Sequence, residues 1–160
     1  MPRLDALSEV ERKTITFFPC MEFDGTPWVP LDKPLSESKV ALISTAGLHV
    51  RGDKPFISDF KGGDPSFRVI PSNSKPGDIL QSHVSIGFDH TGFYKDINIA
   101  FPIDRLRELV ERRVIGSVSE NYYSFMGAIR DPRRVIDNTG PEVAQLLKDE
   151  GVDLAFLVPI

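Results

Sequence analysis

The chain has 160 residues, 41% of them apolar and 26% charged, with a formal net charge of −4. That profile suits one folded domain with a sizeable core. It excludes a basic nucleic-acid footprint, and no apolar run approaches the ~20 residues needed to span a bilayer.

The start, "MPRLDALSEVERKTITFF", is studded with acids and lacks a signal-peptide core, so a cytoplasmic address is expected. Leu4, Leu7, Val10 and Ile15 form an imperfect helical stripe and predict a first helix. "FFPCMEFDGTPWVPLDKPLSES" holds four prolines and reads as an extended arm, with Trp28 and the phenylalanines expected to pin it down. Cys20, in that arm, is the only cysteine. No intramolecular disulfide is available to it, and without a cationic neighbour in sequence it is expected to be structural.

"KVALISTAG", Lys39 to Gly47, is a short apolar run ending in small residues, the pattern of a buried strand. "LHVRGDKPFISDFKGGDPSF" reads as a long polar loop, and "RVIP" and "DILQSHVSI" as two further strands. A helix is predicted near 102–113, with Pro102 at its start and Ile103, Leu106, Leu109 and Val110 on one face; a strand follows from Ile115 and Val118. The plan then repeats. Thr139 is a candidate cap, Pro141 and Glu142 lie in the first turn of a helix near 141–150, Gly151 stops it, and the apolar strand "VDLAFLVPI" comes next. Strands alternating with helices predict an α/β fold: a mainly parallel, Rossmann-like or flavodoxin-like sheet between helical layers, preceded by the proline-rich arm. Residues 1–160 are read as a single domain, with 1–38 as helix and arm and 39–160 as core.

Chemistry-bearing residues collect after the predicted strands. His49 and Asp53 follow the first; His83, Asp89 and His90 lie in "SHVSIGFDHTG"; Tyr123 stands in "ENYYSFMGA", beside a glycine at 127 that lets backbone approach closely. As a functional cluster they would sit at the carboxyl edge of the sheet, where imidazoles serve as acid or base. The plain alternative is that loop histidines cap turns and aromatic residues close the core. No tight ligand spacing points to a metal, and no phosphate-loop or dinucleotide motif points to a nucleotide; no cofactor is expected. "GGDPS" reads as a tight turn, with a phosphate cradle as the weaker alternative.

"KVALISTAGLHVRGDKPF", "GDPSFRVIP", "SHVSIGFDHTGFYKDINIAFPIDRLREL", "IGSVSENYYSFMGA" and "GPEVAQLLKDEGVDLAFLVPI" together resemble the selenoprotein B type subunits of the glycine, sarcosine, betaine and D-proline reductases. The likeness runs from about Lys39 to Ile160 and does not choose a substrate. It implies an oxidoreductase subunit for reductive C–N cleavage, working with other complex subunits, a thiol reductant and a small amine. In that family the final strand runs into a redox motif of selenocysteine or cysteine, two residues, then cysteine, whose first chalcogen is the nucleophile. By the resemblance that motif would begin directly after Ile160, so no catalytic residue is present in these 160. The expectation is a chain stopped at a selenocysteine UGA codon; the rival is a natural short paralogue.

Two other readings stay open: a small-molecule or subunit-binding module without redox chemistry, and a metal-assisted hydrolase. His49, Asp53, His83 and Asp89 are expected to converge near the carboxyl end of the last strand. Apolar surface beside Leu154, Phe156 and Val158 is expected to make the chain self-associate, a symmetric dimer being one form of this, or to leave it poorly soluble.

Overall fold

The computed structural model describes the whole chain except residues 1–2, 18–21, 23, 27, 58–62 and 84–89. Cys20 and Asp89 therefore lie outside the described residues. By contacts the chain divides into two units, Met1–Pro30 and Leu31–Ile160.

The first unit contains helix α1 (Glu9–Thr16), which opens with a capping box: the Ser8 hydroxyl accepts from Glu11 N while Ser8 N donates to the Glu11 carboxylate. Glu9 and Lys13 pair one turn apart at 2.7 Å. The helix is thus held by its own end and charges. The expected apolar stripe buries nothing, since Val10 is 74% exposed and Ile15 is exposed as well. Trp28, expected as an anchor of the arm, is 75% exposed.

The second unit contains β1 (Lys39–Ser44), β2 (Leu48–Val50), β3 (Phe67–Pro71), β4 (Ile79–Gln81), α2 (His90–Lys95), α3 (Ile103–Glu111), β5 (Ser117–Val118), β6 (Asn121–Phe125), α4 (Gly140–Asp149) and β7 (Leu154–Val158). β1 is the hub. It pairs in parallel with β5 and then β6 along one edge, and with β7 along the other, from Val40↔Leu154 to Ser44↔Val158. β3 closes the far side of β6 in antiparallel register, so the sheet is mixed but built on three parallel pairings. β2 and β4 form a separate antiparallel pair. The segment around β2 was expected to be irregular; the short alternation Leu48-His49-Val50 suffices for a strand because β4 supplies its ladder and Leu48 is fully buried.

Alternation along β1 builds the layers. Val40 and Leu42 pack with Phe101, Ile103 and Leu106 on the α3 side, whereas Ala41 packs with Tyr123, Phe125, Val143 and Leu147 on the α4 side. Helices therefore flank both faces of the sheet, as expected of an α/β fold. α3 begins after Pro102, and the Asn98 side chain accepts from Asp104 N, satisfying an amide of its first turn. Thr139 does not cap α4: a π-helical turn, Val135–Thr139, leads into the helix, and the threonine hydroxyl donates instead to the Pro65 carbonyl. Buried serines fix the exits of the strands. Ser44 donates to Ala100 O and accepts from Ala46 N, and Ser124 accepts from Leu48 N. Each of these polar groups would otherwise be costly in a dry core. Among the described residues no helix is long and apolar enough to cross a membrane.

Candidate functional site

β1, β6 and β7 run in one direction, so their carboxyl ends share one edge of the sheet. Thr45 ties them together. Its amide donates to Val158 O, its carbonyl accepts from Gly127 N at 2.7 Å, and its hydroxyl accepts from Ile160 N at 2.8 Å. The Thr45 hydroxyl also lies 3.2 Å from the Ile160 carbonyl.

His83 lies at this junction, only 8% exposed. Two glycines make its place. A methyl group on Gly47, which has φ +66°, would meet the His83 Cα and N at 3.0 Å each. One on Gly127 would lie 2.8 Å from His83 Nε2, 2.8 Å from the Ile160 carbonyl oxygen and 3.1 Å from the Thr45 oxygen. The imidazole edge and the backbone of Ile160 thus share a space that only a glycine leaves open. Ala128, the next residue, has φ +59°, an uncommon conformation for a residue with a Cβ.

The other histidines flank the same corner. His49, on β2, is 6% exposed, and its Nδ1 is 3.4 Å from the hydroxyl of Ser82, the neighbour of His83. Ser82 in turn accepts from Phe56 N and donates to Gly47 O. His90 opens α2, and its Nδ1 meets Gln81 Oε1 at 2.7 Å; Gln81 Nε2 donates to Ala46 O, so the amide oxygen is the acceptor and Nδ1 carries the proton. Burial lowers the pKa of His83, helped by the nearby His90. Burial also lowers that of His49, with the Arg68 charge adding to it and Asp53 partly opposing. Neutral imidazoles are the result.

A cavity of about 630 Å³ opens beside His49, with Gln81, Ser82, Phe93, Tyr94 and Lys95 in its wall. Asp53 sits in the exposed turn after β2, its amide donating to Val50 O. Tyr123 is on the other face of the sheet, edge-on to Phe67 at 5.8 Å and away from the histidines. Burial raises its phenol pKa, and Glu150 adds to this. The corner therefore gathers His49, His83 and His90, with Asp53 at its margin. Sequence reading missed Thr45, Gln81 and Ser82; the small residues of "TAG" after β1 were the available signal, since a strand ending in them leaves room for other chains.

In "GGDPS", Asp64 is 6% exposed and accepts from Ile57 N, Ser66 N and the Ser66 hydroxyl. Burial pushes its carboxyl up, but these hydrogen bonds and Arg68 outweigh that and hold it below the usual range. The anionic Asp64 would repel a phosphate there, and residues 63–66 show no regular turn, Gly62 lying outside the described residues. Among the described residues no three His, Cys, Asp or Glu side chains gather as a metal site requires.

The glycine/sarcosine/betaine reductase selenoprotein B family matches residues 7–159. The D-proline reductase subunit gamma of Acetoanaerobium sticklandii is 41% identical over 130 residues, covering 81% of this chain and 52% of that protein. A glycine reductase complex component B subunit gamma from Symbiobacterium thermophilum is 26% identical over 151 residues, covering 89% of the chain and 33% of the relative. A sarcosine reductase complex component B subunit beta from Peptoclostridium acidaminophilum is 28% identical over 114 residues, covering 70% and 26%. The chain thus spans about half the length of the first relative and less of the others. No solved structure matches it. The chain belongs to the glycine/sarcosine/betaine reductase selenoprotein B family.

Proposed function

We propose that this chain is the sheet-and-helix scaffold of a reductase subunit that cleaves a C–N bond in a small amine, and that D-proline is the amine. The identity of 41% to a D-proline reductase subunit carries the choice, against 26% and 28% for glycine and sarcosine relatives. The reaction breaks the C–N bond and forms one C–H and one N–H bond. Two protons and two electrons come from a selenol–thiol or dithiol pair, which closes to a chalcogen bridge. The nucleophile, by the family likeness, belongs on the residue joined to Ile160, at the edge where β1, β6 and β7 end. The other subunits of the complex complete the site, and a thiol reductant reopens the bridge in the cytoplasm. Residues 1–160 act as one domain in this reading, and the exposed β7 edge contacts a second copy.

A chimera tests it. The matched residues of the Acetoanaerobium sticklandii gamma subunit are replaced by those of this chain, with the rest of that complex supplied. Ring-opened amino acid from D-proline, with no turnover of glycine or sarcosine, is expected. An assembled complex that turns over glycine, or none of the three, overturns the assignment. The cavity beside His49 favours a second reading, a binding module without redox chemistry. That reading requires D-proline to bind this chain alone, which calorimetry measures.

A further inference from the structure

The cavity beside His49 is walled in part by core residues, with Ile79 only 4% and Phe93 only 7% exposed. Several of its polar groups are already committed. Gln81 gives its amide to Ala46 O and takes the His90 ring at its oxygen. Ser82 accepts from Phe56 N at 3.0 Å and spends its only proton on Gly47 O at 3.3 Å. The Nδ1 of His49, 3.4 Å from that hydroxyl, is therefore the donor, and Nε2 carries a lone pair. Burial, with the Arg68 charge adding to it, keeps the ring unprotonated. His49 as a whole is 6% exposed, yet Nε2 is not sealed from solvent and no described residue donates to it. It is an acceptor without a donor, on a residue that lines the cavity. Lys95, the last residue of α2, is the cation of the same wall, and no described carboxylate pairs with it.

We infer that this cavity holds a small monocarboxylate that carries an N–H group on an apolar ring or chain. The Lys95 ammonium takes the carboxylate, and His49 Nε2 accepts from the N–H. Ile79 and Phe93 receive the apolar part. One lysine balances one negative charge, so a phosphorylated ligand, with nearly two, is poorly matched. A quaternary amine is matched no better. It has no N–H to give, and it would leave Nε2 against alkyl groups, an acceptor desolvated without a donor. His49 therefore sorts amines by their N–H, which makes it a specificity-determining residue. No proton changes place and no bond is exchanged in this role. The inference deepens the reductase reading and rests on it for the choice of D-proline, a monocarboxylate with a ring N–H, as the ligand to test.

A proton–nitrogen NMR titration of the chain with D-proline tests it, because such spectra report weak binding residue by residue. Saturating shifts are expected at the amides of residues 79–82 and 93–97, which wall the cavity. Cyclopentanecarboxylate lacks the N–H, pyrrolidine lacks the carboxylate, and N,N-dimethyl-D-proline is quaternary. Each should bind about tenfold more weakly than D-proline. Lys95→Gln should weaken D-proline about fivefold and leave pyrrolidine unchanged. His49→Phe should weaken D-proline about tenfold and leave cyclopentanecarboxylate unchanged. A merely structural role for either residue would weaken every ligand alike, and that result overturns the inference. So does D-proline without saturating shifts at the cavity, or cyclopentanecarboxylate binding as tightly as D-proline. Should His49→Phe fail to fold, the ligand series on the parent chain decides, together with Lys95→Gln at an exposed helix end. The chimera reads turnover and the titration reads contacts, so either reading can fail while the other stands.

Discussion

β1 and β7 are both short, apolar and parallel, and they pair residue for residue over five positions. Their surroundings differ completely. β1 has neighbours on both edges and helices over both faces, and Val40, Ala41 and Leu42 are at most 2% exposed. β7 has a strand on one edge only among the described residues, and Leu157 is 63% exposed. Composition marks a strand as apolar; position in the sheet decides whether that apolarity is used.

The largest expected effect measures that difference directly. Leu42→Ala removes a fully buried side chain from the α3-side core and should cost about 2–5 kcal/mol in urea unfolding. Leu157→Ala, one strand away, should change stability by no more than about 0.5 kcal/mol. Equal losses would mean that β7 is covered as well as β1.

A smaller effect comes from the corner where the two strands end together. His49 and His83 have lowered pKa values when folded, so the unfolded chain binds protons more readily just below the ordinary histidine value. Stability is therefore full above about pH 6.5 and falls as pH drops through the window down to the lowered folded values. Thermal unfolding at pH 7.5 and 5.5 should show this loss. The double substitution His49→Gln, His83→Gln should flatten it, and an unchanged slope would show that these rings do not govern the window.

The smallest effect on folding sharpens the view of the open edge. Leu157→Lys places a charge on β7, a device that blocks pairing between exposed strands. If two copies associate through β7, light scattering should show the parent chain as a dimer and the variant as a monomer, with stability nearly unchanged. A monomeric parent at high concentration removes the dimer.

Much of this was readable beforehand. Lys39–Ser44, Ile103–Glu111, Gly140–Asp149 and Leu154–Val158 were legible because hydrophobic period, Pro102 and Gly151 all pointed the same way. Leu48–Val50 was not, because three residues of alternation mean nothing until a partner strand is known. α1 was legible as a helix from its spacing, yet the exposure of Val10 and Ile15 was not, since period says which residues share a face and not what meets it. The histidines were legible as candidates at strand ends. Tyr123 was not distinguishable from Tyr122 by composition; one residue of alternation put it on the α4 side.

The position of β1 has a consequence for synthesis on the ribosome. The Ile160 backbone that seals Thr45 lies 115 residues later in the chain, and the whole β7 ladder is comparably remote. At roughly 5–20 residues per second, the hub strand waits on the order of ten seconds with an apolar edge open before its last partner emerges. Long-range parallel pairing of this kind is slow and exposes the chain to aggregation meanwhile. The same strand that anchors the finished sheet is thus the segment a chaperone would need to shelter during its making.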